Sequence, residues 1–314
     1  MAEHQYSISQ RDGYHTLLCF YDSTEKANAG VLIFHGMAEH KERYLPFIKY
    51  LNANGIDAYI YNHRGHGTDK NTEELGFFDC TNGDQKVIED AERVLAYVMK
   101  NKRCDKLILL GHSMGSLITR NLIQKIDNLN GVILSGTTNP SKIKSYPGLM
   151  LATIIKLIYG AKHRSPLINQ LIFGAKSFTS LSNTDGNSSK LKALTSFDWL
   201  TRNKTVVADY VKDPFCGFIC TISFYQDLLK LTLHACNTKL MSHSRKDLPI
   251  NIISGDRDPV GNYGNEIKLL YDNYQKLGFT NVDYKLYPNC RHELLQELNS
   301  DEIMRDIVTW IENL

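Results

Sequence analysis

Gly111-His112-Ser113-Met114-Gly115 is a G-x-S-x-G pentapeptide, and its central hydroxyl is the group in this chain best placed to act as a nucleophile. A serine hydroxyl is a poor nucleophile unless a base takes its proton and a carboxylate orients that base and stabilises its cation. The setting gives the pentapeptide its weight. It follows the apolar run Lys106 to Leu110 and opens the amphipathic stretch Gly115 to Ile126, which predicts a tight strand-to-helix turn. Such a turn needs small residues two before and two after the serine, because side chains there would collide. It also sets Ser113 at a helix N-terminus, where partial positive charge favours developing negative charge.

With a nucleophile in such a turn, the acid and then the histidine are expected further along the chain. Of 11 histidines only His292 lies beyond the apolar run Pro249 to Ser254, in the loop Pro288-Asn289-Cys290-Arg291-His292-Glu293. The acid is sought after the preceding strand, where Gly255-Asp256-Arg257-Asp258-Pro259-Val260 offers two candidates. Asp258 is preferred because Pro259 stiffens the chain just behind it, whereas Asp256 is suited to a cap or a bridge to Arg257. Two backbone amides should receive the oxyanion: Met114, the residue after the nucleophile, and Met37 in His35-Gly36-Met37, which follows the run Val31 to Phe34. Glu39, His40 and Arg43 form either a polar pocket for the alcohol portion of a substrate or a support for the oxyanion loop. His63 and His66 have metal-like spacing but no third ligand, and Cys216 and Cys220 read as two buried thiols, so neither a metal nor a cofactor is expected.

These residues must be positioned by a sheet. Val31 to Phe34, Asp57 to Tyr61, Lys106 to Leu110 and Gly131 to Ser135 are short apolar runs of the kind that form buried strands, and Asp84 to Lys100 has helical periodicity. That alternation predicts an α/β fold with a doubly wound, mostly parallel sheet. The pattern breaks after residue 136, passes through helical fragments and a polar Ser182 to Ser189 stretch, and resumes with a strand at Pro249 to Ser254, a helix at Asn262 to Leu277, a strand at Val282 to Tyr287 and a helix at Asp301 to Asn313. Residues 1–136 and 237–314 are therefore read as the two parts of one core, and 137–236 as an inserted helical cap.

Composition sets the outer limits. The 314 residues are 42% hydrophobic with a net charge of +2, an ordinary globular balance that makes no case for nucleic acid. Charge is unevenly spread. Residues 137–247 carry 15 Lys and Arg against 6 Asp and no Glu, while the remainder carries 21 basic against 28 acidic residues. A basic segment inside an acidic body reads as a solvated face or as attraction to anionic surfaces. The first residues lack the basic start and apolar core of a secretion signal, no run reaches the ~20 residues of a membrane span, and the seven cysteines follow no framework spacing. A cytoplasmic protein with reduced thiols is expected.

Together the motifs resemble a family. His35-Gly36-Met37-Ala38-Glu39-His40 with Arg43-Tyr44, Arg64-Gly65-His66-Gly67, the serine pentapeptide, Gly255 to Val260 and Arg291-His292-Glu293 are similar to the α/β-hydrolase serine hydrolases, within them the monoacylglycerol lipase and lysophospholipase group of the serine aminopeptidase S33 type. Phe197 to Arg202 and Asp213 to Phe218 resemble segments that these lipases carry beneath their lid. The resemblance spans nearly the whole chain and implies a mobile cap over the site, the triad Ser113, Asp258 and His292, and no metal. Asn62, where the family usually has Asp, and Thr68 after Gly67 depart from the pattern.

The expected activity is hydrolysis of a single-acyl lipid ester, a monoacylglycerol or lysophospholipid. A short-chain carboxylesterase, a proline-iminopeptidase-like aminopeptidase and an inactive binding module with the same fold are the alternatives. Leu149 to Ile158, apolar on nearly all sides if helical, is either core or the part of a lid that meets an anionic membrane reversibly, with Lys142, Lys144, Lys162 and Arg164 beside it. The oligomeric state is open.

Overall fold

Val31 to Phe34 is apolar at every position, as a strand covered on both faces must be, and it lies inside the sheet. A computed structural model describes residues 3–23, 26–173 and 195–314. Among these, one sheet contains eight strands: β1 (Glu3–Ser9), β2 (His15–Tyr21), β3 (Ala29–Phe34), β4 (Ile56–Tyr61), β5 (Lys106–His112), β6 (Gly131–Ser135), β7 (Ile250–Gly255) and β8 (Val282–Tyr287). Their lateral order is β1-β2-β4-β3-β5-β6-β7-β8. β2 runs antiparallel to β1 and β4, and the other pairings are parallel. Register pairs Phe34 with Gly111 and His112 with Ser135, so the C-terminal ends of β3, β5 and β6 form one rim.

Side chains alternate across this sheet with period two. Val31, Ile33, Ile108 and Leu110 face one core, filled by Phe47, Ile48 and Leu51 of α1 (Leu45–Ala53) and by Ile303, Ile307 and Ile311 of α10 (Ser300–Glu312). Leu32, Phe34, Leu107 and Leu109 face the other, covered by α2 (Gly83–Asn101), α3 (Met114–Leu122), α7 (Ile222–Ala235) and α9 (Asn265–Lys276). Truncating one of these fully buried residues, Leu109→Ala for example, costs about 2 to 5 kcal/mol. Between β6 and β7 lie also α4 (Lys142–Tyr159), α5 (Pro166–Phe173), α6 (Lys204–Lys212) and the single turn α8 (Thr238–Met241). Of these inserted helices α7 packs on α4 as well as on α2 and α3 of the core. The Ser182 to Ser189 stretch lies outside the described residues.

The α/β fold with a mostly parallel sheet is the one expected, with local differences. β1 and β2 were not anticipated: β1 is an edge strand, exposed at six of its seven positions, so it carries no hydrophobic alternation. The helix read as starting at Asn262 starts at Asn265, because Asn262, Tyr263 and Gly264 all have positive φ (49°, 55° and 85°) and cannot join a right-handed helix. The helix after Ser113 ends at Leu122 rather than Ile126, where the Lys125 amide turns back to the Leu122 carbonyl. Among the described residues no helix is long and apolar enough to cross a membrane.

Candidate active site

β5 delivers Ser113 to the sheet rim and α3 begins one residue later. The serine adopts φ 52° and ψ −117°, a strained conformation for a residue with a side chain, held by its amide donating to the Ser135 carbonyl at 2.9 Å and by Ser116 Oγ donating to its carbonyl at 2.6 Å. Both flanking glycines are sterically required. A Cβ on Gly115 would collide with the Phe34 carbonyl, and one on Gly111 with the Gly115 carbonyl and Thr119 Oγ1.

His292 and Asp258, from the loops after β8 and β7, meet in the interior. His292 Nδ1 lies 2.9 Å from Asp258 Oδ2, and the two residues are 2% and 0% exposed. Asp258 also accepts from the Val260 amide at 2.9 Å and from Ser254 Oγ at 3.2 Å, which fixes the carboxylate in place. An acceptor on Nδ1 directs the proton there and leaves Nε2 free to take another. Burial presses the His292 pKa down, but Asp258, with Glu293 and Glu39 behind it, more than offsets this, so the net shift is upward. Asp256 instead lies 3.7 Å from Arg257 Nε.

The loop after β3 is held from several directions. The Gly36 amide donates to Glu39 Oε1 at 2.5 Å and the Ala38 amide to His66 Nε2 at 3.1 Å, so the Met37 amide stands between two that are engaged. The Met114 amide belongs to the first residue of α3, where no intrahelical acceptor exists. His66 Nδ1 donates to the Arg64 carbonyl at 3.1 Å, and His35 Nδ1 donates to the Gly36 carbonyl at 2.7 Å while its Nε2 accepts from the His63 amide at 3.1 Å. Burial lowers the pKa of His35 to about 4 and of His66 to about 3, so both rings are neutral braces. The spacing of His63 and His66 is thus accounted for by one ring buttressing the loop after β3 and the other packing among Phe34, Tyr61 and His35.

Glu39, His40 and Arg43 part company. Glu39 borders the cavity, whereas His40 and Arg43 are not among its lining residues. Arg43 bridges Glu39 Oε2 at 2.7 Å and both carboxylate oxygens of Glu293 at 2.6 Å; Tyr44 donates to Glu39 Oε1 at 2.9 Å. Burial would raise the Glu39 pKa, and Arg43, helped by His112 and His35, reverses this and holds it at about 2.

Ser113, His292, Met37 and Met114 border one cavity of about 500 Å³, walled by Leu151, Ile168, Phe197, Trp199, Phe218 and Leu228. The Trp199 ring lies 5.0 Å from that of His292, and the Trp199 carbonyl accepts from the His292 amide at 3.4 Å. Trp199 and Glu293 were not among the site residues chosen from the sequence. One is among only two tryptophans and the other adjoins the histidine, which are faint signals at best.

A family model described as serine aminopeptidase, S33, matches residues 25–299. The chain belongs to the serine aminopeptidase S33 family. This S33 member is a serine hydrolase with the α/β-hydrolase fold. It is 22% identical over 287 residues to a monoacylglycerol lipase of Mycolicibacterium smegmatis, covering 90% of this chain and 87% of that one. It is 24% identical over 304 residues to a monoglyceride lipase of Saccharomyces cerevisiae, covering 93% and 87%. Among solved structures, a thermostable carboxyl esterase from Bacillus coagulans in complex with glycerol superposes with a TM-score of 0.85 at 24% identity, over 100% of this chain and 99% of that one. A soluble variant of the S. cerevisiae monoglyceride lipase with a substrate analogue superposes at 0.75 and 18% identity, over 100% and 97%. At these identities the structural likeness speaks for the fold.

Proposed function

We propose that this S33 member hydrolyses carboxylic esters of single-acyl lipids, monoacylglycerols or lysophospholipids, with Ser113 as nucleophile, His292 as base and Asp258 as the acid that orients it. The observation that carries this reading is the strained Ser113 at the wall of an apolar cavity of about 500 Å³ that His292, backed by the buried Asp258, also borders. The acyl chain lies among the apolar walls. Ser113 Oγ attacks the ester carbonyl as His292 Nε2 takes its proton, and the oxyanion accepts from the Met37 and Met114 amides. His292 returns the proton to the leaving alcohol, and then draws a proton from water to hydrolyse the acyl-enzyme. Glu39, Arg43 and Glu293 position the oxyanion loop, and the alcohol portion meets Glu39 at most.

Residues 1–136 and 237–314 form the core in this reading and 137–236 the cap, with α7 as its seat on α2 and α3. All seven cysteines are free, which favours a reducing compartment, and we place the protein in the cytoplasm with reversible membrane contact through α4. An aminopeptidase would need a carboxylate at the cavity for the substrate ammonium. The two acidic lining residues, Glu39 and Glu293, are both already paired with Arg43, which favours esters.

The test is a hydrolysis profile over p-nitrophenyl esters from acetate to palmitate, with a monoacylglycerol, a lysophospholipid and an aminoacyl anilide alongside and Ser113→Ala as blank. Ester turnover that extends to the monoacylglycerol and falls about 10⁴- to 10⁶-fold in Ser113→Ala is expected. Anilide cleavage with little ester turnover would move the assignment to the aminopeptidase branch, and a short-ester preference to a carboxylesterase. Failure of a fluorophosphonate to label Ser113 would leave only a binding module.

A further inference from the structure

Outside the catalytic cavity, three side chains of metal-binding type converge where the segment after α6 meets the loop after β3. The ligating atoms of His40, Asp213 and Cys216 all lie within 4.8 Å of one another, and His40 Nε2 is 2.8 Å from Asp213 Oδ2. Asp213 and Cys216 share one turn, closed by the Cys216 amide donating to the Asp213 carbonyl at 3.1 Å. Among the described residues this is the grouping of such side chains compact enough for one ion, and His63 and His66 do not join it.

His40 has a carboxylate at each ring nitrogen, Glu42 Oε2 at Nδ1 and Asp213 Oδ2 at Nε2, both at 2.8 Å, and although burial lowers its pKa the two acids raise it on balance. Cys216 Sγ lies within 4.8 Å of His40 and of the same Asp213 carboxylate. Lys41 pairs with Glu42, and the Arg43 guanidinium lies close enough to act on Cys216 electrostatically.

We propose that His40 Nε2, an Asp213 carboxylate oxygen and Cys216 Sγ form a site for a thiophilic divalent cation, with zinc as the reference ion and a fourth position open to solvent. A histidine, a carboxylate and a thiolate suit a borderline-soft ion of tetrahedral preference. The exchange balances in charge: one Zn²⁺ enters, the Nε2 and Sγ protons leave to solvent, and the cluster's net charge is unchanged. Arg43 thus opposes the cation no more than it opposes the protons replaced. Glu42 behind Nδ1 supplies the carboxylate that commonly orients a metal-bound histidine. Metal–ligand bonds of about 2.0 to 2.3 Å set tetrahedral donors roughly 3.3 to 3.6 Å apart. The His40–Asp213 contact then opens by about half an ångström, with the Asp213 side chain, 30% exposed, as the entrance. The Gly217 amide already donates to the Ala38 carbonyl at 2.9 Å, so a bound ion adds a second tie between this turn and the oxyanion loop.

Zinc is titrated into the full chain against a chromophoric chelator, for the wild type and for Cys80→Ser, Cys216→Ser, His40→Gln and Asp213→Asn. One zinc per chain is expected, with two protons released and an affinity that climbs about 100-fold per pH unit while both groups are protonated. Binding persists in Cys80→Ser, which removes the exposed thiol, and weakens at least 10-fold in each of the other three. Cobalt(II) should give a thiolate charge-transfer absorption in the wild type that Cys216→Ser abolishes. Equal affinity in the wild type and Cys216→Ser, proton release near zero, or binding lost only in Cys80→Ser overturns the site. If Cys216→Ser fails to fold, His40→Gln and the wild-type cobalt spectrum decide.

Discussion

Arg43 grips both carboxylate oxygens of Glu293 at 2.6 Å across 250 residues of sequence, and Glu293 immediately follows His292. The same guanidinium holds Glu39, which in turn receives the Gly36 amide, so one cation joins the histidine loop to the loop after β3. Arg43→Met leaves two buried carboxylates without their cation and should lower stability by about 3 to 5 kcal/mol in urea denaturation. Arg43→Lys keeps the charge but loses the fork, and its effect belongs on catalysis: we expect a folded protein with kcat/KM reduced about 10- to 100-fold. Wild-type kinetics in Arg43→Lys would show that the two loops are set independently.

In the proposed mechanism His292 must be neutral to accept the Ser113 proton, and its folded pKa is raised above 6.5 by Asp258 despite burial. Activity on a soluble ester should therefore fall as pH drops through a midpoint above 6.5. Asp258→Asn removes the charge that raises it, so the acid limb should move to lower pH while kcat falls by about 10⁴-fold. A limb that stays in place in Asp258→Asn would assign the titration to another group.

Asp227 on α7 faces Asp84 at the start of α2, with Lys230 Nζ 3.3 Å from Asp84 and 3.4 Å from Asp227. Burial raises the Asp227 pKa, Lys230 opposes this and Asp84 adds to it, and the result is about 7 against an ordinary 3.8. The folded protein thus binds a proton there more tightly than the unfolded chain. Its contribution to stability is fully present below about pH 4 and is lost as pH rises through about 7. Asp227→Asn should flatten the dependence of the urea midpoint on pH between 4 and 7. An unchanged slope would mean that Asp227 is ionised throughout.

The central strands were legible because β3, β4 and β5 are covered on both faces, which forces largely apolar runs even though β4 carries the buried Asp57. β1 escaped because an exposed edge strand has no such constraint. At the site, the tight turn at Ser113 and the placing of Asp258 rather than Asp256 beside His292 were readable from local turn chemistry, since strand-to-helix turns and the stiffening Pro259 leave marks in adjacent residues. The Arg43–Glu293 bridge and the seating of Trp199 against His292 were not. Each joins segments far apart in sequence, and no local pattern records which buried acid a given arginine will meet. The same holds for Arg164, counted among the basic neighbours of the lid: its guanidinium is spent inward on the carbonyls of Thr72, Glu73, Leu75 and Ile219.

α4 divides its apolar residues between two jobs. Gly148 and Leu151 border the cavity and Ala152 is fully buried, while Tyr146, Met150, Ile154, Leu157 and Ile158 are exposed at intervals of three to four residues along the opposite face. Leu157 is 81% exposed and has no place among the cavity residues, so substituting it tests the outer face without touching the chemistry. If that face enters a lipid surface, burying Leu157 contributes about 1.5 to 3 kcal/mol. Leu157→Glu should then weaken co-sedimentation with anionic vesicles at least 10-fold at low salt, while turnover of a short soluble ester stays within twofold. Undiminished co-sedimentation of the variant would exclude this face as the contact. A parallel loss of short-ester turnover would instead mean that α4 acts by shaping the cavity, because only a change transmitted through its cavity residues, Ser145, Gly148 and Leu151, reaches a substrate that never meets a membrane.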